Sequence, residues 1–293
     1  MMGASHAATG ASAWVLITSS LSVPLVALQQ FDWYSKAWPD HLPLGLALMD
    51  VSPWATASGA IVTAGAALLP DADHHNATIA HSLPPVSEKV CRGLSKMFGG
   101  HRKGTHSLVG VAFFVAVAWL MTLLSPALAG VMRGMGAERA ADMIEPIQIG
   151  PGIVAMLLVT FAMKALKFLP DSARRASWAI GIASGALVAF SAPENTWWLP
   201  VSVGVGAVLH ILGDQITNDG VNWLWPLVIK PPKAWSQSKI LTKVWQKDGD
   251  QAFPILGKVG SAREWVIATA ASIHALAGIA LALSEGGRQL VAG

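Results

Sequence analysis

An all-α bundle of membrane-spanning helices, about seven of them, is the fold this sequence predicts, and three observations predict it. Hydrophobic residues fill 53% of the 293 positions and charged residues only 13%, where a soluble domain carries about a quarter. Mean hydropathy is +0.49. Apolar runs of bilayer-crossing length recur along the chain, and the basic residues between them fall largely on one side.

A helix crossing roughly 30 Å of hydrocarbon needs about 20 mostly apolar residues, with about 17 as the lower limit. Spans are expected near 11–28, 51–69, 107–124, 149–169, 176–193, 197–213 and 265–283. The opening stretch, MMGASHAATGASAW, lacks the basic n-region and small-residue cleavage site of a secretory signal, so the first run is expected to be a permanent span. Trp14, Trp54, Trp119, Trp178, Trp197, Trp198 and Trp265 fall near segment ends, where an interfacial aromatic belt would put them.

With the N-terminus inside, the inner connections receive Lys89, Arg92, Lys96, Arg102, Lys103, Lys164, Lys167, Arg174 and Arg175, then the lysines from Lys230 to Lys258 and Arg263. The outer side keeps Lys36, Arg133, Arg139 and Arg288. This asymmetry predicts a cytoplasmic N-terminus in a multi-pass protein of the bacterial inner membrane. The single cysteine, Cys91, excludes an intramolecular disulfide framework. No internal repeat or low-complexity tract divides the chain, so residues 1–293 read as one membrane-embedded domain with a basic cytoplasmic segment at 226–264.

Within the 70–106 connection Val86, Val90, Leu94, Met97 and Phe98 recur at helical spacing, with Lys89, Arg92 and Lys96 between them. That pattern predicts a short amphipathic helix, either interfacial on the inner leaflet or packed on the bundle ends.

The chemistry-bearing residues cluster on the same side. In HILGD, His210 and Asp214 stand at i and i+4, on one helical face, where imidazole and carboxylate can point at one metal ion. Ionisable groups in membrane helices are costly and usually functional, although a His–Asp hydrogen bond between helices is the plainer alternative. PDADH supplies Asp71, Asp73 and His74 within one turn, a set suited to zinc, manganese or magnesium, or to capping a solvated helix end. HRKGTHS places His101 and His106 five apart, so a glycine-rich loop must aim them, with Thr105 or His106 starting the next span. Arg102 and Lys103 can hold an anionic group such as a phosphate, or simply mark the inner side. His6 lies on that side too. The combined set His6, Asp71, Asp73, His74, His101, His106, His210 and Asp214 is too large for one tetrahedral zinc and suits two or more ions.

LLPDADHHNAT, GHRKGTHS and LHILGDQITNDGVNWLWP, in that order, resemble the bacterial LexA-regulated, membrane-bound metal-dependent hydrolase family. His6 and the pair Arg263–Glu264 match flanking points of the same pattern. Two positions depart from it: Thr78 replaces a usual serine, and Asn218 a common proline. The family is distantly similar to the zinc-dependent phospholipase C and P1-type nuclease group, which implies an all-helical site of clustered zinc ions and phosphodiester hydrolysis. The resemblance implies supporting roles beside the ligands for Thr78, Ser107, Thr217 and Glu264. The apolar region near 125–195 looks like an insertion.

The expected function is therefore a metal-dependent hydrolase at the cytoplasmic membrane face, with Asp71, Asp73, Arg102 and Thr105 as candidate catalytic residues. Its cofactors would be two or more divalent ions, zinc favoured over manganese or magnesium. A phospholipid or lipid-linked phosphate is the favoured anionic substrate, with membrane lipids as partners and a nucleotide or nucleic acid second. A divalent-cation transporter and a non-catalytic protein with a structural metal site are the competing classes. His274, within the last span, keeps the transporter in play.

Overall fold

The computed structural model describes residues 1–25, 39–167, 174–191, 196–238 and 240–292. Lys36, Lys239 and the ends of the spans expected near 11–28, 149–169 and 176–193 lie outside the described residues.

The first helix, α1 (Gly3–Thr18), begins well before the apolar run expected to span near 11–28 and ends inside it. Ser19 turns to extended backbone at its C-terminus. Ser22–Pro24 (β1) then pairs antiparallel with His41–Pro43 (β2), Val23 opposite Leu42. The chain is thus mostly helical but not wholly so, and the first expected span is displaced. Hydropathy follows the large residues of 14–28, whereas the helix is built from the small ones of GASHAATGASA, which pack tightly and fold well without being very apolar.

Helix α2 (Pro53–Ala66) starts where the Ser52 hydroxyl accepts the N–H of Ala55 at 3.1 Å, with proline at the first helical position. Its Ala- and Gly-rich face lies between α1 and α9 (Trp198–Gln215). Close approach requires the small residues: a Cβ on Gly206 would lie 2.7 Å from the Thr63 carbonyl and from Ala66 Cβ. The hydroxyls in this interior turn back on their own helices, Thr63 to the Gly59 carbonyl at 2.7 Å and Thr18 to that of Trp14 at 2.8 Å. These two hydroxyls are satisfied within their own helices.

Around this centre stand α4 (Leu108–Thr122), bent by 41° from α5 (Leu124–Gly134), then α6 (Glu138–Ile144), α7 (Ile149–Leu166), α8 (Arg174–Ser191) and α11 (Ala262–Ala292). Two stretches, Glu138–Leu166 and Ala262–Gln289, are long and apolar enough to cross a membrane, and the α4–α5 pair makes a third if it is one span. Trp119, Leu120, Ile182, Val266 and Ile273 are exposed on these outer helices. Such a surface belongs in hydrocarbon rather than water.

The apolar region near 125–195 packs into the bundle. Lys164 of α7 donates to the Ser82 carbonyl at 3.0 Å, and Trp178 of α8 donates to the same oxygen at 3.3 Å. These two bonds brace the loop that leads from the PDADH motif to α3 (Val86–Met97). In α3 the five apolar residues divide: Val86, Val90 and Met97 are exposed, Leu94 is half-buried, and Phe98 beyond the helix end is buried. The basic 226–264 segment contains a 3-10 turn (Lys233–Gln237) and the short α10 (Leu241–Val244). It folds back on residues 217–221 through bridges between Thr217 and Gly257 and between Val221 and Gln251.

Candidate metal centre

The polar residues of the interior meet at one end of the bundle, where α2 and α9 finish and α1, α4 and α11 begin. Past α2, the chain makes a 3-10 turn over Pro70–Asp73, which turns Asp71 and Asp73 in different directions. A second 3-10 turn over Gly104–His106 precedes α4, whose cap is Ser107 rather than Thr105 or His106. The extended backbone of Ser107 lets its hydroxyl accept from Gly110 N, so the helix begins at Leu108, two or three residues later than the expected start at His106 or Thr105. Arg102 takes a left-handed conformation with φ of 60°, and this bend places His101 and His106 on the same side of the loop.

The tautomers of the two innermost histidines follow from their partners. His210 Nδ1 lies 2.7 Å from the Ala67 carbonyl. A carbonyl only accepts, so Nδ1 carries the proton and Nε2 presents its lone pair. Thr105 donates its hydroxyl to Asp73 Oδ2 at 2.5 Å and so accepts from His106 Nδ1 at 3.1 Å. In the neutral ring His106 Nε2 therefore also presents a lone pair. These two Nε2 atoms face each other at 3.2 Å. Asp71 Oδ1 stands 3.6 Å from both, and Asp214 Oδ2 stands 3.7 Å from both. Four donors around a tetrahedral zinc, at roughly 2.0–2.1 Å from the ion, stand about 3.3 Å apart. The spacing and the facing lone pairs both fit a cation between them.

Two ligand groups can be drawn from this cluster, each with its donor atoms within 4.8 Å of one another: His6, His210 and Asp214, all buried, and Asp71, His101 and His106, nearer the surface. The His6 ring stacks on that of His210 at 3.7 Å and brings Nε2 to 3.2 Å from Asp214 Oδ1. His6 Nδ1 is buried with no hydrogen-bond partner among the described residues, a second sign that the donor set fits an added ion. The Met1 amino group also lies 2.5 Å from Asp214 Oδ1. Asp73 belongs to neither group. Its oxygens are taken up by Thr105, by His101 Nδ1 at 2.9 Å and by the Arg102 N–H at 3.1 Å, so it orients two histidines from behind.

The fields here are strong. Burial would raise the Asp71 carboxyl, but the neighbouring His210 and His106 hold it well below the usual carboxylate range. Burial would likewise raise Asp73, which bonds to His101, His106 and Thr105 instead hold at about 2. For His106 burial pushes down, and the two carboxylates outweigh it, raising the imidazole to about 9. The site thus holds a proton where a metal ion would serve the same charges.

The remaining candidates lie around this centre. His74 sits at the rim, its ring 4.5 Å from that of His101, and joins neither ligand group. His75 and His81 are exposed. Thr78 is half-buried in the braced loop, where its carbonyl accepts from Ser82. Thr217 donates to the Asp214 carbonyl at 2.7 Å and closes the end of α9. Glu264 is fully buried and accepts from the N–H groups of Met2 at 2.6 Å and Gly260 at 2.8 Å, which ties α11 to the start of α1. Away from the cluster, both nitrogens of His274 are satisfied, by Ser12 at 2.8 Å and the Leu44 carbonyl at 2.7 Å.

Three contributors escaped the sequence. Asp219 Oδ2 pairs with Arg102 Nη1 at 2.9 Å, while Arg102 Nη2 lies 3.6 Å from Asp214 Oδ2. The acidic residue in TNDG was the only signal for it. The Ala67 carbonyl has no signal in a sequence. Gly213 is needed because a Cβ there would lie 3.0 Å from His6 Cε1 and 3.1 Å from its Nδ1.

The family described as YdjM inner membrane protein matches this chain over residues 1–286. Neither the curated proteins nor the solved structures yield a match.

Proposed function

The chain belongs to the YdjM inner membrane protein family, and on that premise we propose that it is a metal-dependent hydrolase of phosphoesters, such as those of phospholipids or lipid-linked phosphates. The observation that carries this reading is the pair of facing Nε2 atoms between Asp71 and Asp214. The reading includes two divalent ions, zinc favoured, one for each ligand group. In this reading His6, His210 and Asp214 hold the inner ion, and Asp71, His101 and His106 the outer one. The proposal includes seven spans, a cytoplasmic N-terminus and a site on the inner face, in line with the distribution of basic residues.

Bound there, such ions would supply Lewis acidity and make a water acidic enough to deprotonate near neutral pH. The protein's own residues do the positioning. Asp71, whose side chain is 28% exposed, is the carboxylate a water can reach and orients it by accepting a hydrogen bond. Asp73 and Thr105 fix the rings of His101 and His106 so that their donor atoms point inward. Arg102 reaches over the mouth of the site, where its guanidinium can leave Asp219 for a phosphoryl oxygen and neutralise the charge that builds there. The resemblance of the PDADH, HRKGTHS and HILGD motifs to the LexA-regulated hydrolase family supports this chemistry.

Transport is the weaker reading. Transporters hold their ions near the bilayer midplane on broken helices. Here the cluster lies at helix ends, and His274 is a hydrogen-bonded tie between α1, α11 and the loop at Leu44.

The test is metal content and phosphodiesterase activity of detergent-purified protein beside His106→Ala and Asp214→Ala variants that remain folded. Two or more ions in the parent, reduced in both variants together with phosphodiesterase turnover, are the expected result. Parent protein that binds no added zinc or manganese would sink the reading. Metal binding without hydrolysis of any phosphoester would leave a structural centre.

A further inference from the structure

Two exposed apolar segments adjoin the loop that carries His101 and Arg102. On α3, Val86, Val90 and Met97 fall on one stripe and are 57%, 56% and 55% exposed, while Cys91 on the inward side is 2% exposed. The next stripe is cationic: Lys89, Arg92 and Lys96, all exposed. The second segment, residues 224–230, turns Leu227, Val228 and Ile229 outward and ends at Lys230.

The segments are joined to each other and to the bilayer-facing helices. The Phe98 and Trp225 rings lie 6.2 Å apart, and Gly104 sits so close beneath them that a Cβ would meet Phe98 at 2.5 Å and Trp225 at 2.8 Å. Leu108, the first residue of α4, donates its N–H to the Trp223 carbonyl at 3.0 Å. The second segment is thereby fastened to the start of an apolar helix whose outer face continues through exposed Leu108 and Val109. His101 and Arg102, at the mouth of the polar cluster, lie in the chain between Phe98 and Gly104.

An apolar stripe edged by lysine and arginine matches one medium in particular, the boundary where acidic headgroups meet acyl chains. We propose that α3 and residues 224–230 form a docking surface for an anionic phospholipid leaflet, seated at headgroup depth around the mouth of the polar cluster. The surface is continuous with the lipid-facing side of α4, so one bilayer covers both. This assignment goes beyond the hydrolase reading and does not depend on metal being bound.

The full chain in lipid nanodiscs tests it, in a Cys91→Ser background carrying Val90→Cys, Leu227→Cys or, as a control in an exposed acidic turn, Asp248→Cys. Each cysteine takes an environment-sensitive fluorophore, and metal content is measured on the same samples. With phosphatidylglycerol present, labels at 90 and 227 should emit to the blue, be quenched by lipids carrying a nitroxide high on the acyl chain, and resist iodide. The label at 248 should do the reverse. Replacing Lys89, Arg92 and Lys96 together by glutamine, or using phosphatidylcholine alone, should reduce lipid quenching at 90. Iodide quenching at 90 and 227 without lipid quenching overturns the proposal. Blue emission that neither quencher touches also overturns it, because protein then covers the patch. Should one cysteine variant fail to fold, the other carries the same test. Lipid contact in metal-free samples would uphold the docking surface while removing support for the hydrolase.

Discussion

His106 and His210, 104 positions apart in the chain, bring their Nε2 atoms to 3.2 Å of each other, and each is held in place through its Nδ1. Two lone pairs so aligned repel unless a proton or a metal ion lies between them. Behind His106 stands Asp73, which belongs to neither ligand group but fixes the loop that carries two histidines.

Asp73→Asn should therefore lower metal affinity without removing a ligand. Loss of a carboxylate behind a ligating histidine typically costs about 10–100-fold in affinity. Competition with a chromophoric chelator measures it, and unchanged affinity would mean that Asp73 is only structural.

The pH response should change sign with metal. His106 is raised from 6.5 to about 9, so its contribution to stability is complete below the ordinary value and is lost as pH rises through 9. Metal-free protein should melt at progressively lower temperature between pH 6.5 and 9. Protein with an ion in place of that proton should instead bind it more tightly over the same range. Thermal scans of both forms check this, and parallel profiles would argue against shared occupancy.

Gly213→Ala should disturb His6, since the new methyl would meet its ring at 3.0 Å and Met1 Sδ at 2.7 Å. Overpacking of this kind costs about 1–3 kcal/mol. Gly130→Ala, whose methyl would meet nothing within 4 Å, is the control and should be neutral or slightly stabilising. Chemical denaturation in detergent separates the two.

Arg102→Lys should raise the KM for a phosphoester while metal content holds, because an ammonium cannot reproduce a fork that now spans Asp214 and Asp219. Hydrogen bonds to charged groups are worth about 1.5–3 kcal/mol, which corresponds to tenfold or more. Asp219→Asn releases the same guanidinium and should lower KM. Equal losses of metal in both variants would assign Arg102 to the fold instead.

The residue types at the centre were legible because ionisable groups are scarce in so apolar a chain. The spacing of His210 and Asp214 gave their common face, and the structure does turn both toward one point. What PDADH could not reveal is that its two carboxylates part company, since a 3-10 turn sends Asp71 toward the histidine nitrogens and Asp73 behind them. The pairing of Asp219 with Arg102 depends on how the 217–221 segment folds back, which no local pattern encodes. In the fold, α3 was readable from its period, but the split of its apolar residues between interior and surface was not. The start of α1 was missed because alanine, glycine and serine form a well-packed helix that hydropathy scarcely registers.

The two ligand groups also differ in when they can exist during synthesis. Asp71, His101 and His106 leave the ribosome close together and need only a local loop to close. His6 must wait for Asp214, 208 residues later, before its contact can form. Closing so long a loop is entropically slow and follows insertion of nearly every helix. The nascent chain thus has one half of its polar centre early and the other only near the end of translation, which orders any loading of that centre in time.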